Sequence, residues 1–331
     1  VSTLSDAAAP GVHLPAPAVQ PATARRIALG VAGVACATGV LALLVRSTRG
    51  ADAGALLQHP RMVVLAVGCV VAGYALQATT WHLLCARPVG RARLAAMPWA
   101  SASLNRLTPA GMGGMWLTSR EMRRSGASTS QTVATISTFS LLQAGAGLVL
   151  GSAAMGLGLT THVSGRAVLI SIGVIGAVVT ALAAVLAAGP FRARCSAWRS
   201  RMRPGFAHLS RRRLCLALAL QITSRLVPVV LLALSLQALG SPLALATTTG
   251  VVLTASAAGS LVPLPAQGGG TELAMTAMLS AAGPSPAVAA SAVVTARLIG
   301  FWGPAVLGLV PLVWLGSRSA TAGQQGVRLL G

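Results

Sequence analysis

With 331 residues, 54% of them hydrophobic and 9% charged, and a mean hydropathy of +0.76, the chain has too little polar surface to cover a water-soluble globule of its size. The formal net charge of +21 suggests nucleic acid at first sight, yet all 25 basic residues are Arg, spread over short loops between apolar stretches, with no basic domain carrying interleaved aromatics. The composition therefore points to an all-α, polytopic membrane bundle with its cations at the membrane surface and no nucleic-acid partner.

Residues 1–24 are rich in Ala and Pro, lack hydrophobic periodicity and read as a disordered tail. Ile27 to Val45 gives about 19 apolar residues without a convincing cleavage site, a retained first span. Further spans are expected at 62–86, 128–156, 167–189, 214–239 and 286–315, and residues 318–331 form a short tail. A last span of that length would reach about 45 Å as one helix, so Gly303-Pro304 is expected to kink or split it. The segment 128–156 carries the same ambiguity.

Two more apolar regions, 94–118 and 244–281, are interrupted. The interruptions are Pro109-Ala110-Gly111-Met112-Gly113-Gly114 and Pro265-Ala266-Gln267-Gly268-Gly269-Gly270, set 156 residues apart. Broken helices at corresponding points of two halves point to a transporter-like site near the bilayer midplane. Aligning the breaks also aligns the spans beginning near 62 and 214 and those beginning near 128 and 286. The chain thus reads as two repeats, about 25–160 and 165–317, with an Arg-rich loop at 190–213 inside the second. An odd number of crossings between equivalent points makes the repeats inverted, each with a broken or re-entrant hairpin.

Arg placement tests the orientation independently. With both termini cytoplasmic, 18 Arg lie inside, including eight between Arg192 and Arg213, against Arg46, Arg49, Arg61 and Arg166 outside. The expected location is the plasma membrane, with the inner Arg residues touching anionic lipid headgroups. Arg106, Arg225 and Arg297 fall within membrane segments.

Arg225 and Arg297 each lie about 11 residues into a span, near mid-depth, where an Arg costs about 2.5–3.5 kcal/mol on insertion scales and must face the bundle interior. Glu272 is one of four acidic residues, with Asp6, Asp52 and Glu121, and the only one expected deep in the membrane. It follows Gly268-Gly269-Gly270 and Thr271, in the first turn of a half-helix whose free backbone N–H groups suit an anion. Glu272 and Arg297 also suit a purely structural buried ion pair.

Other features take plainer readings. Glu121, flanked by Arg120, Arg123 and Arg124, reads as a solvated helix end, and Arg124 to Gly126 as a helix stop. Trp81, Trp99, Trp302 and Trp314 read as interfacial or packing aromatics, and Pro228 as a kink. The five Cys and five His are scattered without ligand or redox spacing, so no metal, cofactor or catalytic constellation is expected and an enzyme is disfavoured.

The residues around the breaks resemble a known family. Asn105-Arg106-Leu107-Thr108-Pro109-Ala110-Gly111-Met112-Gly113-Gly114, with Arg120 and Gly126, is similar to the first signature of the lysylphosphatidylglycerol synthase transmembrane, or flippase-like, family. Leu264-Pro265-Ala266-Gln267-Gly268-Gly269-Gly270-Thr271-Glu272, then Gly283, Arg297 and Phe301-Trp302-Gly303-Pro304, is similar to the second. The resemblance implies re-entrant helices around a lipid-accessible cavity. In the best-known members it implies movement of an aminoacylated phospholipid between leaflets, and relatives are associated with polyprenyl-linked sugars or hopanoids. No soluble aminoacyl-transferase domain is read in residues 1–331, so the chain is not expected to make lysyl-lipid by itself. Two departures stand out: Met115 occupies the position where an acidic residue usually follows the first glycines, and Ser137, Thr138, Phe139 and Ser140 replace charged residues. The first half is therefore expected to be partly degenerate as a site.

The candidate headgroup-binding set is Glu272, Arg297, Arg225, Gly268, Gly269, Gly270 and Thr271 in the second half, with Asn105, Arg106, Gly113 and Gly114 in the first. The expected partner is a phospholipid or polyprenyl-type lipid held in a midplane cavity. The alternative is a non-transporting membrane scaffold for a lipid or cell-envelope enzyme.

Overall fold

A computed structural model of the chain describes residues 55–108, 112–156, 204–261 and 270–316. The expected tails, the first span at Ile27 to Val45, the span at 167–189, most of the Arg-rich loop, and Gly268 and Gly269 lie outside the described residues.

The described residues contain no strand, and long helices alternate with pairs of shorter ones. A 3-10 turn, Ala55–Gln58, leads into α1, Pro60–Leu84, followed by the short helices α2, Arg91–Leu107, and α3, Met112–Arg124, and the long α4, Thr129–Gly156. The second set is α5, Arg211–Ala238, the short α6, Leu245–Leu261, and α7, Gly270–Ala281, then α8, Pro286–Arg297. A π-helical turn, Leu298–Trp302, carries α8 into α9, Gly303–Leu307, and the whole rod Pro286–Gly316 is 31 residues long. Each long helix alone is long and apolar enough to cross a bilayer. The 17 residues of α2 or α6 give only about 25 Å of helix, less than the roughly 30 Å hydrocarbon core.

Local sequence explains the junctions. Pro60 and Pro286 stand in first-turn positions where a missing N–H costs nothing, and the Ser285 hydroxyl accepts from Val288 N at 3.4 Å. Gly126 (φ +85°) and Gly283 (φ +127°) each sit two residues beyond the second short helix of their half. Both take a positive φ that a side chain disfavours, which turns the chain from hairpin into the next long helix.

Packing divides into three apolar clusters. Trp81, Met97, Leu117 and Met122 pack α1, α2 and α3 with Leu315 of the distant rod. Leu232, Val252, Leu279 and Val293 pack α5 to α8, and Ala66, Val70 and Leu231 join α1 to α5 along a seam between the two sets. Toward the outside, Val64, Leu141, Val310 and Val313 are each about seven-tenths exposed, the arrangement of a bundle whose solvent is lipid. Buried Ala289, Ala290, Ser291 and Ala292 leave α8 narrow enough for close helix packing.

The expected break at Gly303-Pro304 takes a milder form. Pro304 has no N–H and its ring would strike the preceding turn of an α-helix. The rod widens just before it, with Gly303 N donating to Leu298 O across a π-type five-residue ring, and continues as one helix.

Candidate functional site

Along the seam, α1, α2, α5, α7 and α8 enclose a pocket of about 240 Å³. Its polar lining is Tyr74, Gln77, Arg106, Ser224 and Arg297, and Phe301 of the π turn stands in its wall.

Phe301 organises the charges. The Arg106 guanidinium lies 3.9 Å from the ring centroid and that of Arg297 lies 5.0 Å away, so one aromatic ring holds a cation from each half of the chain. Arg106 is further fixed by an NH1 bond of 2.6 Å to Ala102 O, while its buried Nε has no acceptor among the described residues. The Nε of Arg297 lies 3.1 Å from Glu272 Oε1, close enough for an ion pair but with its N–H not aimed for a well-directed hydrogen bond. Glu272 is buried in the first turn of α7, beside buried Thr271 and just after Gly270. Two guanidiniums and one carboxylate therefore meet here, a formal surplus of one positive charge.

The first hairpin corrects an expectation. Gly113 and Gly114 were placed in the headgroup-binding set, but α2 already supplies acceptors for their N–H groups. Gly113 N donates to Thr108 Oγ1 at 2.8 Å and Gly114 N to Asn105 Oδ1 at 2.7 Å. A Cβ on Gly114 would come 2.5 Å from Asn105 Oδ1, and one on Gly113 2.7 Å from Thr108 Oγ1, so the glycines permit this close capping. Asn105, Gly113 and Gly114 build the hairpin turn next to Arg106.

Arg225 is not brought to the Glu272–Arg297 pair. Its NH2 donates to Gln143 O of α4 at 3.4 Å, and it is absent from the pocket lining, because it stands about 100° round the helix from Ser224, which does line it. Pro228 lines the pocket within a continuous α5.

Glu121 is also not a solvated helix end. It is 1% exposed, with Oε1 2.8 Å from Arg124 NH1 and Oε2 3.9 Å from Arg93 NH1, because α3 turns that face onto α2. The helix stop expected near Gly126 is present.

The tryptophans pack as expected: Trp81 stacks on Phe139 with centroids 3.9 Å apart, Trp99 on Tyr74 at 4.2 Å, and Trp302 meets Phe301 edge-on. Sequence reasoning quoted Phe301 only as part of a motif and passed over Tyr74. The i, i+4 spacing from Arg297 to Phe301 and the placing of the chain's one Tyr inside a span were the available signals.

A family model described as the lysylphosphatidylglycerol synthase TM region matches residues 27–308, covering every pocket residue and both hairpins. The chain belongs to this family. No curated protein and no solved structure gives a match. Within the lysylphosphatidylglycerol synthase TM-region family the two departures take a structural meaning here. Met115 is half exposed on the outer side of α3, and Phe139 fills the space beside Trp81. Of the two described carboxylates, the one paired with a pocket-lining Arg comes from the second half.

Proposed function

We propose that this membrane protein is a lipid transporter of the flippase-like kind, which shelters the anionic headgroup of a phospholipid or polyprenyl-type lipid in the pocket while the acyl chains stay in the bilayer. The observation that carries the reading is the pair of guanidiniums on Phe301, of which only that of Arg297 is paired with a described carboxylate. A surplus cation in a low-dielectric site favours a ligand with one negative charge, such as a phosphodiester. Tyr74, Gln77 and Ser224 add hydroxyl and amide groups for the remaining oxygens.

The inverted-repeat arrangement and the cytoplasmic placing of both termini belong to this reading. It is supported by the recurring order of helix lengths and by the Arg distribution. Arg106 comes from one half and Glu272 and Arg297 from the other, so a relative movement of the halves would open and close the site. The reading assigns the chain transport and no catalysis.

The test is reconstitution into liposomes carrying labelled lipids of different headgroup, with an external quencher reporting which become accessible. Acceleration for an anionic headgroup that is lost in Arg106→Gln supports the reading. A folded protein that moves no labelled lipid refutes it and favours the scaffold, for which the Glu272–Arg297 ion pair would serve only to fix helix packing.

A further inference from the structure

One polar group lies beside the pocket and reaches its lining only through Ser224. Gln221, Ser224 and Arg225 share two adjacent turns of α5, with Gln221 and Arg225 at the i, i+4 spacing that places them on one face. Gln221 is 1% exposed and its Nε2 has no acceptor among the described residues. The buried Nε of Arg225 also has none, and its NH2 reaches only a long 3.4 Å contact with Gln143 O. Two donors aimed from one face at nothing are costly in a membrane interior, and the cost falls when an acceptor arrives.

Charge narrows the acceptor. Of the two carboxylates among the described residues, Glu272 pairs with Arg297 and Glu121 with Arg93 and Arg124, so neither neutralises Arg225. A guanidinium paired with an amide donor suits an oxyanion better than a neutral carbonyl. Ser224 connects this group to the pocket: it lines the pocket, and its hydroxyl lies 3.0 Å from Gln221 O and 3.4 Å from Gln221 Oε1. That contact occupies the amide oxygen and leaves the NH2 end for a ligand.

We propose that Gln221 and Arg225 form a second oxyanion station at the contact of α4 and α5, through which a phosphate group passes on its way to or from the pocket. The station rests on the transport reading but uses none of Arg106, Glu272 and Arg297. Its ligand is a phosphate oxygen, borne by a lipid headgroup or by free phosphate.

The experiment uses the full chain in nanodiscs with a phosphatidylglycerol analogue carrying a diazirine on its headgroup, and maps crosslinks by mass spectrometry. Crosslinks are expected around Gln143 and Gln221 in addition to those around the pocket. Gln221→Leu and Arg225→Gln are each expected to cut the α4–α5 crosslinks about tenfold, the loss of one charge-assisted contact, with pocket crosslinks retained. Arg106→Gln gives the converse pattern. Should Arg225→Gln fail to fold by thermal melting, Gln221→Leu, which removes only an amide, carries the test.

Suppression of the α4–α5 crosslinks by millimolar inorganic phosphate would support the station with free phosphate as its occupant. Retention under the same conditions would assign it to the lipid. Absence of α4–α5 crosslinks in the wild type, or crosslinks that ignore both variants, overturns the station. Absence of the pocket crosslinks alone in the wild type would instead overturn the transport reading.

Discussion

Asn105 closes the first hairpin by accepting the Gly114 backbone N–H at 2.7 Å, across the turn that separates α2 from α3. Thr108 does the same for Gly113, so the glycine pair is a capping device that holds Arg106, one residue from Asn105, at the pocket wall.

Loss of that cap has a calculable effect. Asn105→Ala is expected to destabilise the hairpin by about 1 kcal/mol, the usual worth of such a cap, while Asn105→Asp keeps an acceptor and costs less. Gly114→Ala should cost about as much as Asn105→Ala, because the added carbon would meet Asn105 Oδ1 at 2.5 Å and push that side chain off its cap. Thermal melting of purified protein ranks the three, and a Gly114→Ala protein as stable as wild type would contradict the assignment.

The buried pair makes a sharper prediction. Glu272→Gln leaves Arg297 without its carboxylate and is expected to destabilise the fold by about 3–5 kcal/mol. The double change Glu272→Gln with Arg297→Gln removes both charges and should recover folded yield but not lipid movement. Full transport by the double variant would show that the pair serves packing alone.

Phe301 should be measurable through its two cations. Phe301→Leu keeps most of the apolar volume and removes the ring face, with an expected loss of about 0.5–2 kcal/mol in anchoring Arg106 and Arg297. Phe301→Trp retains the face. Headgroup affinity measured by lipid photolabelling should fall in the first variant and hold in the second, and equal behaviour of both would remove the ring from the site.

Glu121 is expected to matter more than an exposed helix-end carboxylate. Arg124→Gln leaves the buried Glu121 carboxylate with only its 3.9 Å contact to Arg93, whereas Glu121→Gln leaves guanidiniums that still reach water, so the melting temperature should drop further in Arg124→Gln. Melting temperatures unmoved in both variants would restore the solvated reading.

The lengths of the described long helices and the place of the first break were legible from hydropathy and from proline and glycine, because those signals depend on composition along the chain. Orientation around each helix axis was not. Depth alone put Arg225 beside Arg297, yet one residue shifts a side chain by about 100°, which turns Arg225 toward Gln143 and leaves Ser224 to line the pocket. Charge density alone put Glu121 in water, and only the docking of α3 on α2 buries it. Gly113 and Gly114 read as part of the headgroup set because their acceptors, Asn105 and Thr108, sit on the far side of a turn.

Arg297 and Gly308 are eleven residues apart, just over three whole turns of an undisturbed α-helix, so they would look out in nearly the same direction, within about 20°. The wide turn between them absorbs one surplus residue and resets the phase by roughly a quarter of a circle. One rod thereby serves two neighbours: upstream it presents Arg297 to Glu272, and downstream it lays Gly308 against the backbone of Trp99, with Ser103 Oγ donating to Ala305 O at 2.5 Å. Trimming a single residue from that turn would force the molecule to give up one of the two engagements.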